Sequence, residues 1–219
     1  MEVKISTDNA VKNIVHLGVI QFTGLTVSGK NDQLLTDLEI LTSEYRATYR
    51  SPADAMDRLH ITRSLYRKIG LDPTKTRPSS EALLRRVLKG NPLYQINSLV
   101  DTCNYCSLQL LLSLGLYDIS KIVGNVQLRL GKENEGYEGI RKEFINVNER
   151  LTLADELGPF GNPSADSART MITEVTTDAL FVIFVPADYP VDELQNNIAF
   201  IEARVQRYHD CEIQMKGLE

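Results

Sequence analysis

Cys103 and Cys106 form a Cys-x-x-Cys pair in INSLVDTCNYCSL, Ile96 to Leu108, and such a pair can hold half a zinc site or cycle between dithiol and disulfide. A structural zinc site asks for four ligands, and the histidines, His16, His60 and His209, all lie far away in sequence. A redox pair belongs at a helix N-terminus, where the dipole lowers a thiol pKa. Leu99, Cys103, Cys106 and Leu110 instead follow a 4-3-4 spacing, which puts both thiols in mid-helix on an apolar stripe. Core packing is therefore the preferred reading, and neither a metal nor a cofactor is expected.

The same helix carries a second row. Asn97, Asp101, Asn104 and Ser107 recur at 4, 3 and 3 residues and share one face. Short hydrogen-bonding side chains weaken a helix because they compete for backbone groups, so something must offset them. Either they tie down neighbouring loops as a buried network or they line a polar pocket. GLTVSGKN, Gly24 to Asn31, matches the outline of a phosphate loop, but Asn31 stands where a magnesium-binding Ser or Thr belongs. Its interior, Leu25 to Val27, reads as a strand end before a glycine turn. There is no Gly-x-Ser-x-Gly, and the histidines have no acid or hydroxyl at a suggestive spacing, so no covalent nucleophile is indicated.

Periodicity supplies the elements that must position these groups. Asn13 to Phe22 alternates as a strand, and Leu34, Leu38, Leu41 and Tyr45 mark a helix over Asp32 to Tyr49. Ser51-Pro52 opens a second helix ending near Gly70. Ser79 or Ser80 is expected to cap a short basic helix that Gly90 stops, and Ile96 to Leu110 forms the next. Asn125 to Leu130, Arg141 to Val147, Ala179 to Val185 and Cys211 to Met215 read as strands. Asn148 to Arg169, rich in Gly, Pro, Asp and Ser, reads as an ordered turn cluster. Val191, Leu194, Ile198, Ile201 and Val205 make a helical stripe. Helices early and strands late give an α+β class, with residues 1–219 forming a single domain.

The chain of 219 residues, 42% of them hydrophobic, can bury a sizeable core. No apolar run approaches a bilayer span and the N-terminus lacks the order of a signal peptide, so no membrane contact is expected. Three cysteines make no disulfide framework, and a cytoplasmic setting is the default expectation. The net charge of −5 argues against a general nucleic-acid coat. It is uneven, however. Arg63 to Lys89 holds eight basic and two acidic residues, a local +6 that leaves −11 on the rest. Arg77, Arg85, Arg86 and Lys89 in that segment form either a solvated helical face or a polyanion contact.

Read together, RPSSEALLRRVLKGNPLYQINSLVDTCNYCSLQL, GLYDISKIVGNVQLRL, LADELGPFGN and ADSARTMITEVTTDALFVIFVP resemble the B3/B4 domain of the bacterial phenylalanyl-tRNA synthetase beta chain, and more closely its free-standing relatives. The resemblance covers residues 77–186, with 1–76 and 187–219 as additions packed on that core. It implies a three-layer α+β domain built on an unusual β-sandwich. It also implies a cleft bordered by the helix with Asn97, Asp101, Asn104 and Ser107, with Arg169 and Thr177 on the far wall. In the synthetase this domain hydrolyses tyrosine wrongly esterified to tRNA. An aminoacyl ester is already activated, so a site can hydrolyse it by orienting a water, without a nucleophilic side chain. Three family positions differ here: Cys103 replaces a threonine, Gly115 a histidine, and Ala165 the glutamate that recognises the tyrosine hydroxyl. No catalytic residue is assigned, and no adenylation module fits in the chain.

Two functional expectations follow from the resemblance. One is a deacylase acting in trans on mischarged aminoacyl-tRNA, its RNA held by Arg77, Arg85, Arg86 and Lys89. The other is a non-catalytic module that binds RNA or a small, amino-acid-like molecule. A bare scaffold ranks last, since it leaves the polar helical row without purpose.

Overall fold

The computed structural model describes residues 2–140 and 144–219. In chain order its strands and α-helices are β1 (Ile5–Thr7), β2 (Val15–Thr23), α1 (Asp32–Thr48), α2 (Met56–Lys68), α3 (Ser79–Leu88), α4 (Ser98–Leu110), β3 (Ser113–Asp118), β4 (Val126–Leu130), β5 (Gly136–Glu138), β6 (Phe144–Asn146), β7 (Leu151–Asp155), β8 (Gly158–Asn162), β9 (Ala165–Asp166), β10 (Ala179–Pro186), α5 (Val191–Tyr208) and β11 (Glu212–Leu218). Of the strand expected over 141–147, residues 141–143 lie outside the described residues.

All eight residues of β10 are buried, so the strand needs cover on both faces. It sits inside an antiparallel sheet ordered β11-β2-β10-β3. One face presents Ile20, Phe22, Leu116, Phe181, Ile183 and Val185 to a helical layer built from α1, α3, α4 and α5. The opposite face presents Leu17, Val19, Tyr117, Leu180, Val182 and Phe184 to a second sheet, ordered β1-β4-β7-β8-β9. The period of two along each strand thus divides the apolar residues between two cores. The result is the three-layer α+β arrangement, with helices over one sheet and a second sheet behind it. On the helical side, Leu194, Ile198, Ile201 and Val205 of α5 are buried, whereas Val191 is 48% exposed. Among the described residues no helix is long and apolar enough to cross a membrane.

Two local expectations are corrected. The region 148–169 is not a turn cluster: it contains β7, β8 and β9. Gly158, Pro159, Gly161 and Pro163 suppress the strand signal there, yet Gly158 (φ +115°) supplies the turn between β7 and β8. Helix α3 starts at Ser79 after Pro78, and neither serine caps it with its side chain. Gly70 and Gly90 do follow α2 and α3 with φ of +77° and +78°, as helix-ending glycines should.

Candidate nucleic-acid interface

The polar row of α4 is largely tied to main chain. Asn97 is the N-cap, its Oδ1 accepting from Val100 N at 2.9 Å while its Nδ2 donates to Ile172 O at 3.5 Å. Asp101, 2% exposed, accepts from Ile96 N at 3.0 Å. Burial pushes its carboxyl up to about 6, against the lowering effect of that hydrogen bond. Ser107 Oγ donates to Leu112 O at 2.8 Å beyond the helix end, where Leu111 adopts a left-handed φ of 55°. Asn104 is half-buried. Buried Thr102 meets His209 Nε2 at 3.1 Å, and His209 Nδ1 lies 3.2 Å from Thr26 O. Cys103 and Cys106 are buried with the apolar core, and burial raises both thiols. The remaining two candidates are engaged elsewhere. Arg169 forms a two-pronged ion pair with Asp155 at 2.8 and 2.9 Å, and exposed Thr177 bonds Asp178 at 2.7 Å. Among the described residues no side-chain hydrogen bond joins these six to one another, and none of them lines either of the two clefts described below.

The basic segment is organised by one buried acid. Glu81 has no exposed side-chain surface and receives two bonds of 2.8 Å from Arg63 and one of 2.8 Å from Arg85, with Arg77 at 3.9 Å. Burial alone would raise its pKa, but the bonds from Arg63 and Arg85 outweigh this and hold it below the usual carboxylate range. Arg85 is thus partly spent internally. Arg86 donates to Pro92 O, and its guanidinium carbon lies over the Tyr94 ring, 3.9 Å from the ring centre. Tyr94 is 55% exposed, and Lys89, the C-cap of α3, is exposed as well. The result is a cationic, aromatic surface at the C-terminal end of α3. The Arg77-Glu81-Arg85 spacing of four was a readable signal for the internal ion pairs; nothing in sequence flagged the Arg86–Tyr94 stack.

Arg77 also lines a cleft of about 310 Å³ with Thr76, Arg150, Asn162, Ser164 and Ala165, together with Leu71, Ile145 and Pro163. One wall is the β8–β9 turn, which is internally braced. Asn162 Oδ1 accepts from Ser164 N and Ala165 N at 2.8 and 3.0 Å, while its Nδ2 donates to Tyr137 Oη at 2.8 Å. Tyr66 Oη donates to Pro163 O at 2.7 Å and lies 3.1 Å from Ser164 Oγ.

Behind that wall the space between the sheets is filled. The Tyr117 ring lies across Gly115 and Gly161, and a Cβ at either glycine would come within 2.3 Å of its hydroxyl. Tyr117 is fully buried, packs edge-on to Phe160 at 5.0 Å, and has its pKa driven upward by burial and by the nearby Asp166 carboxylate. Of the two positions where the resemblance places a histidine and a glutamate, Gly115 therefore lies against a phenol supplied by the chain itself, and Ala165 lines the cleft. A second concavity, about 350 Å³, lies on the helical layer between Asp37, Glu44, Tyr105, Phe200 and Arg204.

Helices on one sheet, and that sheet on another, define the class as mixed α+β. More narrowly, the chain belongs to the B3/4 domain family, whose sequence model matches residues 61–216. It is 33% identical over 81 residues, 36% of its length, to the phenylalanine–tRNA ligase beta subunit of Bartonella henselae. That stretch is 10% of the ligase subunit, so the chain spans about a tenth of the curated relative it matches. An N-terminal fragment of the phenylalanyl-tRNA synthetase beta-subunit from Pyrococcus horikoshii aligns with 97% of this chain and 50% of that one, at 13% identity and a TM-score of 0.46.

Proposed function

We propose that this chain is an RNA-binding module, with tRNA as its natural class of partner, and that it does not hydrolyse aminoacyl esters. The observation that carries the reading is the Arg86–Tyr94 stack, with Lys89 at the C-cap of α3. Tyr94 is exposed, so the pair offers a cation–aromatic surface at the end of a +6 segment on a chain of −5. Lysine and arginine contacts to phosphate supply most of the affinity in sequence-independent nucleic-acid binding, and exposed aromatics stack on unpaired bases. Glu81 sorts the basic residues: Arg63 and Arg85 are drawn inward, leaving Arg77, Arg86 and Lys89 for a partner.

Hydrolysis is disfavoured by Tyr117. An ester held beside Gly115 would compete with the phenol that already lies against that glycine. The polar row of α4 takes, on this reading, a positioning role for the loops around the helix.

The test is tRNA binding followed across a salt series, for the wild type and the double variant Arg86→Ala, Lys89→Ala. The double variant is expected to weaken binding and to flatten the log–log salt slope by about 1.5, the release expected for two phosphate contacts. An unchanged affinity and slope would remove α3 from the interface. In parallel, a panel of mischarged tRNAs is expected to keep its aminoacyl groups; turnover of any of them would overturn the non-catalytic assignment.

A further inference from the structure

We propose that the cleft between Arg77 and Arg150 binds a phosphomonoester carried on a nucleoside, either a free mononucleotide or the 5′-phosphorylated end of an RNA. Only the second of these sources rests on the RNA-binding reading above.

Three features carry the assignment. The first is charge. Among the described residues, two guanidinium groups line the cleft and no carboxylate does. Among the described residues, no acid lies within ion-pair distance of Arg150, and the nearest to Arg77 is Glu81 at a loose 3.9 Å, already held by Arg63 and Arg85. Two unspent positive charges match the near-double charge of a phosphomonoester better than the single charge of a diester, so a terminal phosphate fits better than an internal one. The second feature is the mixed lining. Leu71, Ile145, Leu151 and Pro163 give apolar lining for a ribose or base face, and Thr76 belongs to the same lining. The third is size and rigidity. At about 310 Å³ the cleft lies at the lower end of ligand pockets, roughly 300 to 1,000 Å³. That leaves room for one nucleotide and not for a chain. The Asn162, Tyr137 and Tyr66 bonds fix the β8–β9 wall before any ligand arrives, which limits the ordering cost of binding.

The experiment titrates the full chain with AMP, CMP, GMP and UMP, with adenosine as the uncharged control, by calorimetry. At least one mononucleotide is expected to bind with Kd below about 1 mM, and AMP at least about ten-fold more tightly than adenosine. Arg150→Gln, an exposed change that leaves the melting temperature alone, is expected to weaken mononucleotide binding about ten-fold, and Arg77→Gln likewise. No mononucleotide binding below about 1 mM, equal affinity for AMP and adenosine, or an Arg150→Gln variant that binds as well as wild type would each overturn the proposal.

A second arm identifies the source. Short RNAs with and without a 5′-phosphate compete against the bound mononucleotide. Competition that needs the phosphate assigns an RNA end, and its absence assigns a free nucleotide; both outcomes support the site. The variant Arg86→Ala, Lys89→Ala separates the two proposals. If it retains mononucleotide binding while tRNA binding is untouched, the cleft stands and the α3 interface falls.

Discussion

The row on α4 and the cleft beside the β8–β9 turn hold nearly the same kinds of side chain, yet they do opposite things. On α4, Asn97, Asp101 and Ser107 each meet a main-chain partner within a few residues, and all three are buried. At the cleft, Asn162 and Ser164 brace a turn while Arg77 and Arg150 are left facing open space. A dense polar row is thus a poor guide to function when the backbone groups flanking the two ends of its own helix take up its members. What marks the cleft is donors that the fold itself leaves unused.

If Tyr117 closes the space behind the cleft, its removal should give the largest effect. Tyr117→Ala is expected to cost about 3–5 kcal/mol in urea unfolding, as for other large buried rings. Free phenol, by refilling the hole, should raise the melting temperature of the variant and not that of the wild type. A loss under about 1 kcal/mol would mean that the ring is not wedged between the sheets at all.

Glu81 comes next. Glu81→Ala leaves Arg63 and Arg85 without their acid. Breaking a buried pair costs about 3–5 kcal/mol, but these arginines are 14% and 38% exposed and can rehydrate, so roughly 2–3 kcal/mol is expected. RNA affinity should hold or rise, since two cations are released to the surface. A variant that is less stable and also binds RNA more weakly would show that Glu81 shapes the interface itself. The acid contribution has a defined sign. With a folded pKa below the usual value, the stability it brings is present above about pH 4.5 and fades as the pH falls toward the lowered value.

The contrast between the two regions is tested most directly by a pair of variants. Asn97→Ala is expected to lose about 1 kcal/mol of stability through the missing cap, with no change in ligand binding. Arg150→Gln should do the reverse. If Asn97→Ala instead abolished nucleotide or RNA binding at unchanged stability, the α4 row would have to be returned to the functional surface.

Much of the architecture was legible because apolar periodicity is a global signal. The α5 stripe, the fully apolar β10 and the helical spans of α1 and α4 follow directly from it. Strands β7 to β9 were hidden because glycine and proline, which usually end elements, here make a tight turn and leave room for Tyr117. The site was less readable still. Arg150 is a lone arginine in a polar stretch, and Arg77 lies 73 residues before it, so only the folded chain brings them to one cleft. His209 and Thr102 are likewise separated by 107 residues. A row of residues on one helix can be read from spacing; a pair assembled from distant loops cannot.

The smallest effect isolates the energetics of α4. Asp101 has a folded pKa of about 6, above its unfolded value near 3.8, so its stabilising contribution is fully present below pH 3.8 and is lost as pH rises through 6. At pH 7 its buried charge is therefore a net burden. The helix N-terminus favours a carboxylate there, which offsets part of it. Asp101→Asn keeps an oxygen to accept from Ile96 N and removes the charge, so a gain of about 1 kcal/mol is expected at pH 7.5. His209 acts in the opposite sense. Burial holds its pKa below 6.5 despite the hydrogen bond at Thr26, so its contribution is present above that pH and is lost as pH falls. In the wild type the two trends partly cancel between pH 7 and 5. The His209 slope is common to both proteins and cancels from their difference, so the advantage of the variant should shrink as the pH falls toward 4 and Asp101 of the wild type takes up its proton. Urea unfolding at half-unit pH steps reads this directly. A gap that stays constant from pH 7.5 to 4 would mean that Asp101 is not held as a buried carboxylate, and with it would go the separation between a sealed α4 row and an open cleft.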